Sequence, residues 1–124
     1  MIDYDPNYNP AAPVVAVRLL NPATGKAVDL SALVDTGAGV SAVSLEIANE
    51  LGLEPIGTMR VRGFDTIRRT VPVFRSTWII EGHLLLGIEC VAIKGRGALV
   101  GRDVLQHFIL TVNGKAGTFT LVDP

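Results

Sequence analysis

"ALVDTGAGVSAVS", residues 32–44, drives an acid out of the end of an apolar run and straight into a Gly-rich turn. Three readings are open: an Asp-Thr-Gly turn, a phosphate-cradling glycine loop, or half of a catalytic carboxylate pair. The bland reading has Asp35 bonding its own backbone two residues on. Against it, Leu30, Ala32, Leu33 and Val34 place Asp35 at the buried end of a strand. Burying an unpaired carboxylate costs several kcal/mol, so a simple turn-former would sit outside.

The glycine-loop reading rests on Gly37-Ala38-Gly39-Val40-Ser41-Ala42, which fits G-x-G-x-x-A. Its surroundings contradict it. The helix that follows is barely two turns long, and β-hairpins come next rather than βαβ units. Glu54, the candidate ribose acid, falls in a loop before Pro55.

The chain has 124 residues, room for one domain, and 48% of them are apolar against 19% charged. Such a domain can bury roughly 65% of its unfolded surface, so a single core is feasible. A net charge of −1 builds in no field for nucleic acid. A near-neutral, apolar-rich small domain hints at self-association. No stretch reaches the length of a membrane span. Cys90 is alone, so no intrachain disulfide forms, and a reducing, cytoplasmic setting fits. The polar, acidic start "MIDYDPNYNP" is wrong for a signal peptide, although a larger parent protein could have carried one.

Residues 1–13 read as an extended N-terminal arm and 14–124 as the domain. Residues 14–20 and 27–34 form a hairpin across "NPATGK". "SLEIANELG" is a helix, with Ser44 as N-cap, Gly52 as C′ glycine, and Leu45, Ala48 and Leu51 on one face. "TMRVRGFDTIRRTVPVF" is a hairpin with its tip at Gly63–Thr66, studded by arginines 60, 62, 68 and 69. A hairpin this charged buries one face at most and projects from the body. "RSTWII" and "HLLLGIECVAI" are two further strands around an "EG" turn. "DVLQHF" is a helical turn capped by Asp103, and Asn113-Gly114 signals a type I′ hairpin near the C-terminus. Many short strands with one or two short helices indicate an all-β, barrel-like domain.

Well downstream of Asp35 comes "ALVGRDVL", residues 98–105: small-apolar-apolar-Gly-Arg-Asp. "LVDTGA" followed by this run, with a glycine-bearing hairpin between, resembles the retropepsin-like aspartic proteases, single-domain relatives of pepsin that work as homodimers. The resemblance spans Val14 to Leu121 and implies an acid-protease barrel with a flap hairpin. Residue by residue, it makes Asp35 the catalytic aspartate. Thr36 becomes the residue that bonds its twin loop across the dimer, and Gly37 the residue whose carbonyl meets substrate backbone. Val100-Gly101 becomes the element packed beneath the catalytic loop. Ala38 and the flap tip Gly63, Phe64, Asp65 and Thr66 fall at substrate-binding positions. The family often has an acid soon after its DTGA, paired with the arginine of Gly-Arg. Gly39-Val40 stands there in this chain, so Arg102 must pair elsewhere, with Asp103 or an acid of the N-terminal arm. The resemblance implies a peptide or protein substrate and a homodimer, with no metal, cofactor, nucleic acid or membrane contact.

One Asp-Thr-Gly in the chain means that a carboxylate pair needs two copies. Two ionised carboxylates ~3 Å apart repel by about 5.5 kcal/mol at an effective dielectric of ~20. One proton therefore stays shared between them; the aspartic-protease dyad is the standard instance of this effect. Ala38, where a serine could donate to the aspartate, leaves that pair without an extra donor.

The remaining candidates have plainer roles. Phe74 and Trp78 read as core, Cys90 as a buried thiol, and His83 and His107 as structural, lacking ligand-like spacing. Ser41 and Ser44 have no general base in reach by pattern. The flap arginines suit solvation better than selection of acidic peptides. A rival from another class is a catalytically weak dimerisation or peptide-binding module on the same fold, which would have no physical need for a buried acid pair.

Overall fold

The computed structural model describes residues 1–62, 66–95 and 97–124. In chain order the strands are β1 (Ile2–Asp3), β2 (Val14–Leu20), β3 (Ala27–Val34) and β4 (Ala42–Ser44), followed by helix α1 (Leu45–Glu50). Then come β5 (Pro55–Arg62), β6 (Arg68–Ile80), β7 (His83–Ile93), β8 (Ala98–Val100), helix α2 (Arg102–Leu105), β9 (Ile109–Asn113) and β10 (Thr118–Val122). Strand accounts for 56% of the chain and helix for 8%, so the domain is all-β.

The sheet runs β2-β3-β8-β4-β7-β6 and closes on itself where β6 returns to β2, giving a six-stranded barrel. β5 hangs outside it on β6, and β1-β10-β9 form a separate small sheet. Closure removes the free edges that a flat sheet would expose. In β2, Val15, Val17 and Leu19 point inward while Ala16 and Arg18 face water. Arg18 lies directly opposite Asp29 on β3 and binds it twice, at 2.8 and 3.0 Å. That hydrogen bond holds the Asp29 carboxyl below its ordinary range, but the pair is exposed and contributes little.

One main core joins barrel, α1 and C-terminal sheet through Trp78, Phe74, Phe119, Leu19, Leu51 and Ile80, all at most 2% exposed. Full burial of each aliphatic side chain among them stabilises by roughly 1.5–3 kcal/mol. Trp78 donates its indole N–H to Ser76 Oγ at 2.8 Å, and Ser76 donates in turn to the Ile88 carbonyl. These polar atoms inside the barrel are thereby satisfied. A second cluster, Ala42, Val73 and Val91, lies under the β5–β6 hairpin and meets Met59, Val61 and Val71. That hairpin buries one face only. Arg60, Arg62 and Arg68 point outward, with Arg62 directly opposite Arg68.

The β2–β3 hairpin has the expected bounds, and buried Asn21 ties its turn to the end of α1 by donating to the Leu51 carbonyl at 2.9 Å. Ser44 caps α1, accepting from Ile47 N–H, and Gly52 follows with φ of +66°. Both residues of the Glu81-Gly82 turn have positive φ, as a two-residue hairpin requires. Phe74, Trp78 and Cys90 are buried as expected.

Four local expectations need correction. "RSTWII" is no separate strand: β6 runs unbroken for 13 residues because different stretches of it pair with β5, β2 and β7. Leu45 does not share the buried face of α1; it stands 47% exposed, and Ile47 packs inward instead. Asp103 is not the cap of α2. Gly101 holds that position and Asp103 sits inside the first turn, because Ser41 claims its carboxylate. Asn113-Gly114 makes no two-residue turn: the loop spans residues 114–117, and the positive φ falls on Gly117. The Asn113 side chain accepts from Ala116 N–H and its carbonyl from Gly117 N–H, which favours the longer loop. The extended arm has partners of its own. Ile2–Asp3 pair with Thr118–Phe119, Tyr4 packs on Phe119, and Asp5 bridges to Ala12.

Candidate active site

β3 and β8 run parallel, with Val34 opposite Val100, and the chain leaves both strands at the same end of the barrel. Asp35 therefore emerges beside Gly101. Its N–H donates to the Val100 carbonyl at 3.0 Å, continuing the ladder one step past the strand. Its Oδ1 accepts from Gly37 N–H at 2.9 Å, and its carbonyl from Ala38 N–H at 3.2 Å. The side chain is thus held in a local turn, half-buried rather than fully sequestered. The turn bond of the bland reading is present and serves to aim the carboxylate. A Cβ at Gly37 would lie 3.1 Å from Asp35 Oδ1, so a larger residue there would press on the carboxylate.

Beneath the loop, Ser41 and Asp103 form a clamp. Ser41 Oγ donates to Asp103 Oδ1 at 2.7 Å, and Ser41 N–H donates to Oδ2 at 3.1 Å. The same hydroxyl accepts from Gly101 N–H at 2.9 Å. Arg102 N–H donates to the Ala38 carbonyl at 2.8 Å. Gly101 fits because it has no side chain: a Cβ would meet the Val40 backbone at 2.8 Å and the Ala38 carbonyl at 2.9 Å. Val100-Gly101 accordingly packs against the Asp35 loop, as the resemblance implied.

Ser41 does have a carboxylate in reach, contrary to the expectation from sequence pattern. It is 0% exposed, its proton is given to Asp103 and its oxygen accepts from Gly101, so its role is bracing rather than nucleophilic attack. Sequence spacing carried no signal for this pairing across 62 positions. Asp103, in turn, is consumed by Ser41 and its neighbour Val104 N–H. Arg102 therefore makes no pair with it and donates Nη1–H to the Thr36 carbonyl at 2.8 Å.

Thr36 and Gly37 lie exposed on the outer edge of the loop, and Ala38 is half-buried just inside. Gly63, Phe64 and Asp65 lie outside the described residues; Thr66 is exposed with φ of +59°. Of the β5–β6 hairpin arginines, 60, 62 and 68 project from the face opposite Met59 and Val61. Two cavities, of about 300 and 360 Å³, are lined by His83, Phe108 and Asp123 and by Met59, Ile88 and His107 respectively; Asp35 lines neither. His83 binds Asp123 at 3.2 Å and packs edge-on against Phe108. Among the described residues no cluster of three or more metal-ligating side chains occurs. None of their helices is long and apolar enough to cross a membrane. Burial pushes the Cys90 thiol above its ordinary range.

No family model and no curated protein matches the sequence. Solved structures do match the fold. A retropepsin-like aspartic protease from Rickettsia conorii aligns with a TM-score of 0.62 at 18% identity, over 90% of this chain and 82% of that one. The EIAV protease, solved with the inhibitor HBY-793, aligns at 0.61 and 20% identity, over 77% and 86%. The simian foamy virus (mac) protease aligns at 0.56 and 18%, over 76% and 92%. The fold is therefore that of the retropepsin-like aspartic proteases.

Proposed function

We propose that this chain is an aspartic endopeptidase that works as a homodimer, two copies meeting about a two-fold axis so that their Asp35 carboxylates share one proton. The observation that carries the reading is the setting of Asp35 in a protease-like barrel. Asp35 is fixed by Val100 and Gly37, braced from below by Gly101, and half-exposed at the outer end of β3. Exposed Thr36 and Gly37 leave the rim of the loop open to its twin.

In this mechanism a water bridges the two carboxylates. The ionised one removes its proton as the water oxygen attacks the scissile carbonyl carbon. The protonated one, Asp35 of the partner subunit, donates to the carbonyl oxygen. The proton taken from water then passes to the leaving nitrogen as the C–N bond breaks, and a hydroxyl of the tetrahedral intermediate returns its proton to the other carboxylate, which restores the pair. The symmetric arrangement lets either copy take either role. The β5–β6 hairpin acts as the flap that covers substrate and excludes water, with the apolar Met59 and Val61 face inward.

The test compares wild type with Asp35→Asn on a denatured protein substrate over a range of enzyme concentrations. Wild type should cleave and the variant should lose at least ~10³-fold in rate, as expected for removing the general base and acid together. Specific activity should fall on dilution as copies separate. Wild type and variant equally inert from about pH 3 to 8 would favour a binding or dimerisation module instead.

A further inference from the structure

We propose that Arg102 is a carboxylate receptor on the rim of the Asp35 loop, selecting peptides with an acidic side chain within a few residues of the cleaved bond. The inference rests on the protease reading of Asp35. Three observations carry it. First, the guanidinium is anchored: Nη1–H donates to the Thr36 carbonyl at 2.8 Å, so the fork is aimed and not freely rotating. Second, its other nitrogen is left open at Gly39. A Cβ built on Gly39 would lie 3.5 Å from Nη2, so any larger side chain at 39 would rest on that edge, and glycine leaves it clear. Third, no acid among the described residues pairs with it. The described ion pairs are Arg18–Asp29, Arg75–Glu89 and His83–Asp123, and the adjacent Asp103 has both oxygens committed to Ser41 and Val104.

The chemistry that fits an anchored, exposed fork with one open edge is a planar carboxylate. Thr36 joins this fork directly to Asp35, so the receptor stands beside the acid that would cut. Arg60, Arg62 and Arg68, the other obvious candidates, project from the outer face of the β5–β6 hairpin and reach no such loop.

The experiment uses peptide pairs identical except for Glu or Gln, placed in turn at each position around the cleaved bond. They are cleaved by wild type, Arg102→Gln and Gly39→Asp, and bound without turnover to Asp35→Asn by fluorescence anisotropy. Wild type should favour Glu at one position by about tenfold, the scale of a hydrogen bond to a charged group. Gly39→Asp keeps the Thr36 anchor but supplies an internal carboxylate, so its preference should vanish; that of Arg102→Gln should vanish too. No preference for Glu in either cleavage or binding overturns the proposal, as does a preference that survives Gly39→Asp. If Arg102→Gln and Asp3→Asn instead both weaken self-association while peptides show no preference, the carboxylate comes from a second copy's arm and substrate selection is wrong. Binding that prefers Glu without any hydrolysis upholds the receptor and sinks the protease reading alone.

Discussion

Ser41 and Asp103 hold each other through two hydrogen bonds, hydroxyl to Oδ1 at 2.7 Å and backbone N–H to Oδ2 at 3.1 Å, and so join the chain after the Asp35 loop to the start of α2. Removing the hydroxyl leaves Gly101 N–H without its acceptor and Asp103 Oδ1 without its shortest donor. Ser41→Ala should therefore cost about 1–3 kcal/mol in urea unfolding. Ser41→Thr, which keeps the hydroxyl, should cost clearly less. Equal losses for the two variants would show that volume, not the hydrogen bonds, matters at this position.

Gly101→Ala places a methyl against backbone atoms of Val40 and Ala38 that no rotamer change can clear. The expected loss is about 1–3 kcal/mol, as for overpacking, with a further fall in any cleavage activity as the Asp35 loop is pushed. Gly114→Ala is the control. Nothing lies within 4 Å of the place its methyl would take, and its φ is not positive, so thermal unfolding should move little, or slightly upward.

Cys90 is 0% exposed, contacts Ser76 Oγ at 3.4 Å, and has its thiol pushed up by burial. A disulfide reagent at about pH 8 should find almost no reactive thiol in the folded protein and one per chain in denaturant, since the thiolate is the nucleophile. Rapid labelling without denaturant would show that the barrel opens near β7.

Ala38 bears on pH. In the proposed dimer, a serine there would add a donor to the ionised carboxylate and so favour its ionised form. The sign follows: wild-type activity should extend toward neutral pH, and Ala38→Ser should move the high-pH limb of the rate profile downward. A wild-type profile peaking below about pH 3 would contradict this.

The sequence made the barrel legible where period and chemistry agree. Val15, Val17 and Leu19 alternate cleanly, and Ser44 and Gly52 bracket α1 as caps should. It also brought Asp35 and Gly101 together, because a resemblance supplied the long-range contact that local patterns lack. What stayed hidden was decided by partners distant in the chain. Asp103 looked like a cap until Ser41, 62 residues away, took its oxygens. "RSTWII" looked separate because nothing local says that one strand will serve three neighbours. Arg102's attachment to a carbonyl rather than an acid likewise depends on how two loops cross.

The unbroken course of β6 has a mechanical consequence. Arg68–Phe74 belong to the outer hairpin, and Trp78–Ile80 are paired on both sides, with β2 and β7. The hairpin is thus a cantilever clamped at its root rather than a door on a hinge. The register shift between Pro55 and Gly57 places an irregularity at that root, on the β5 side of the pair. A load carried along this beam is delivered to the barrel wall at the Val73–Val91 pairing.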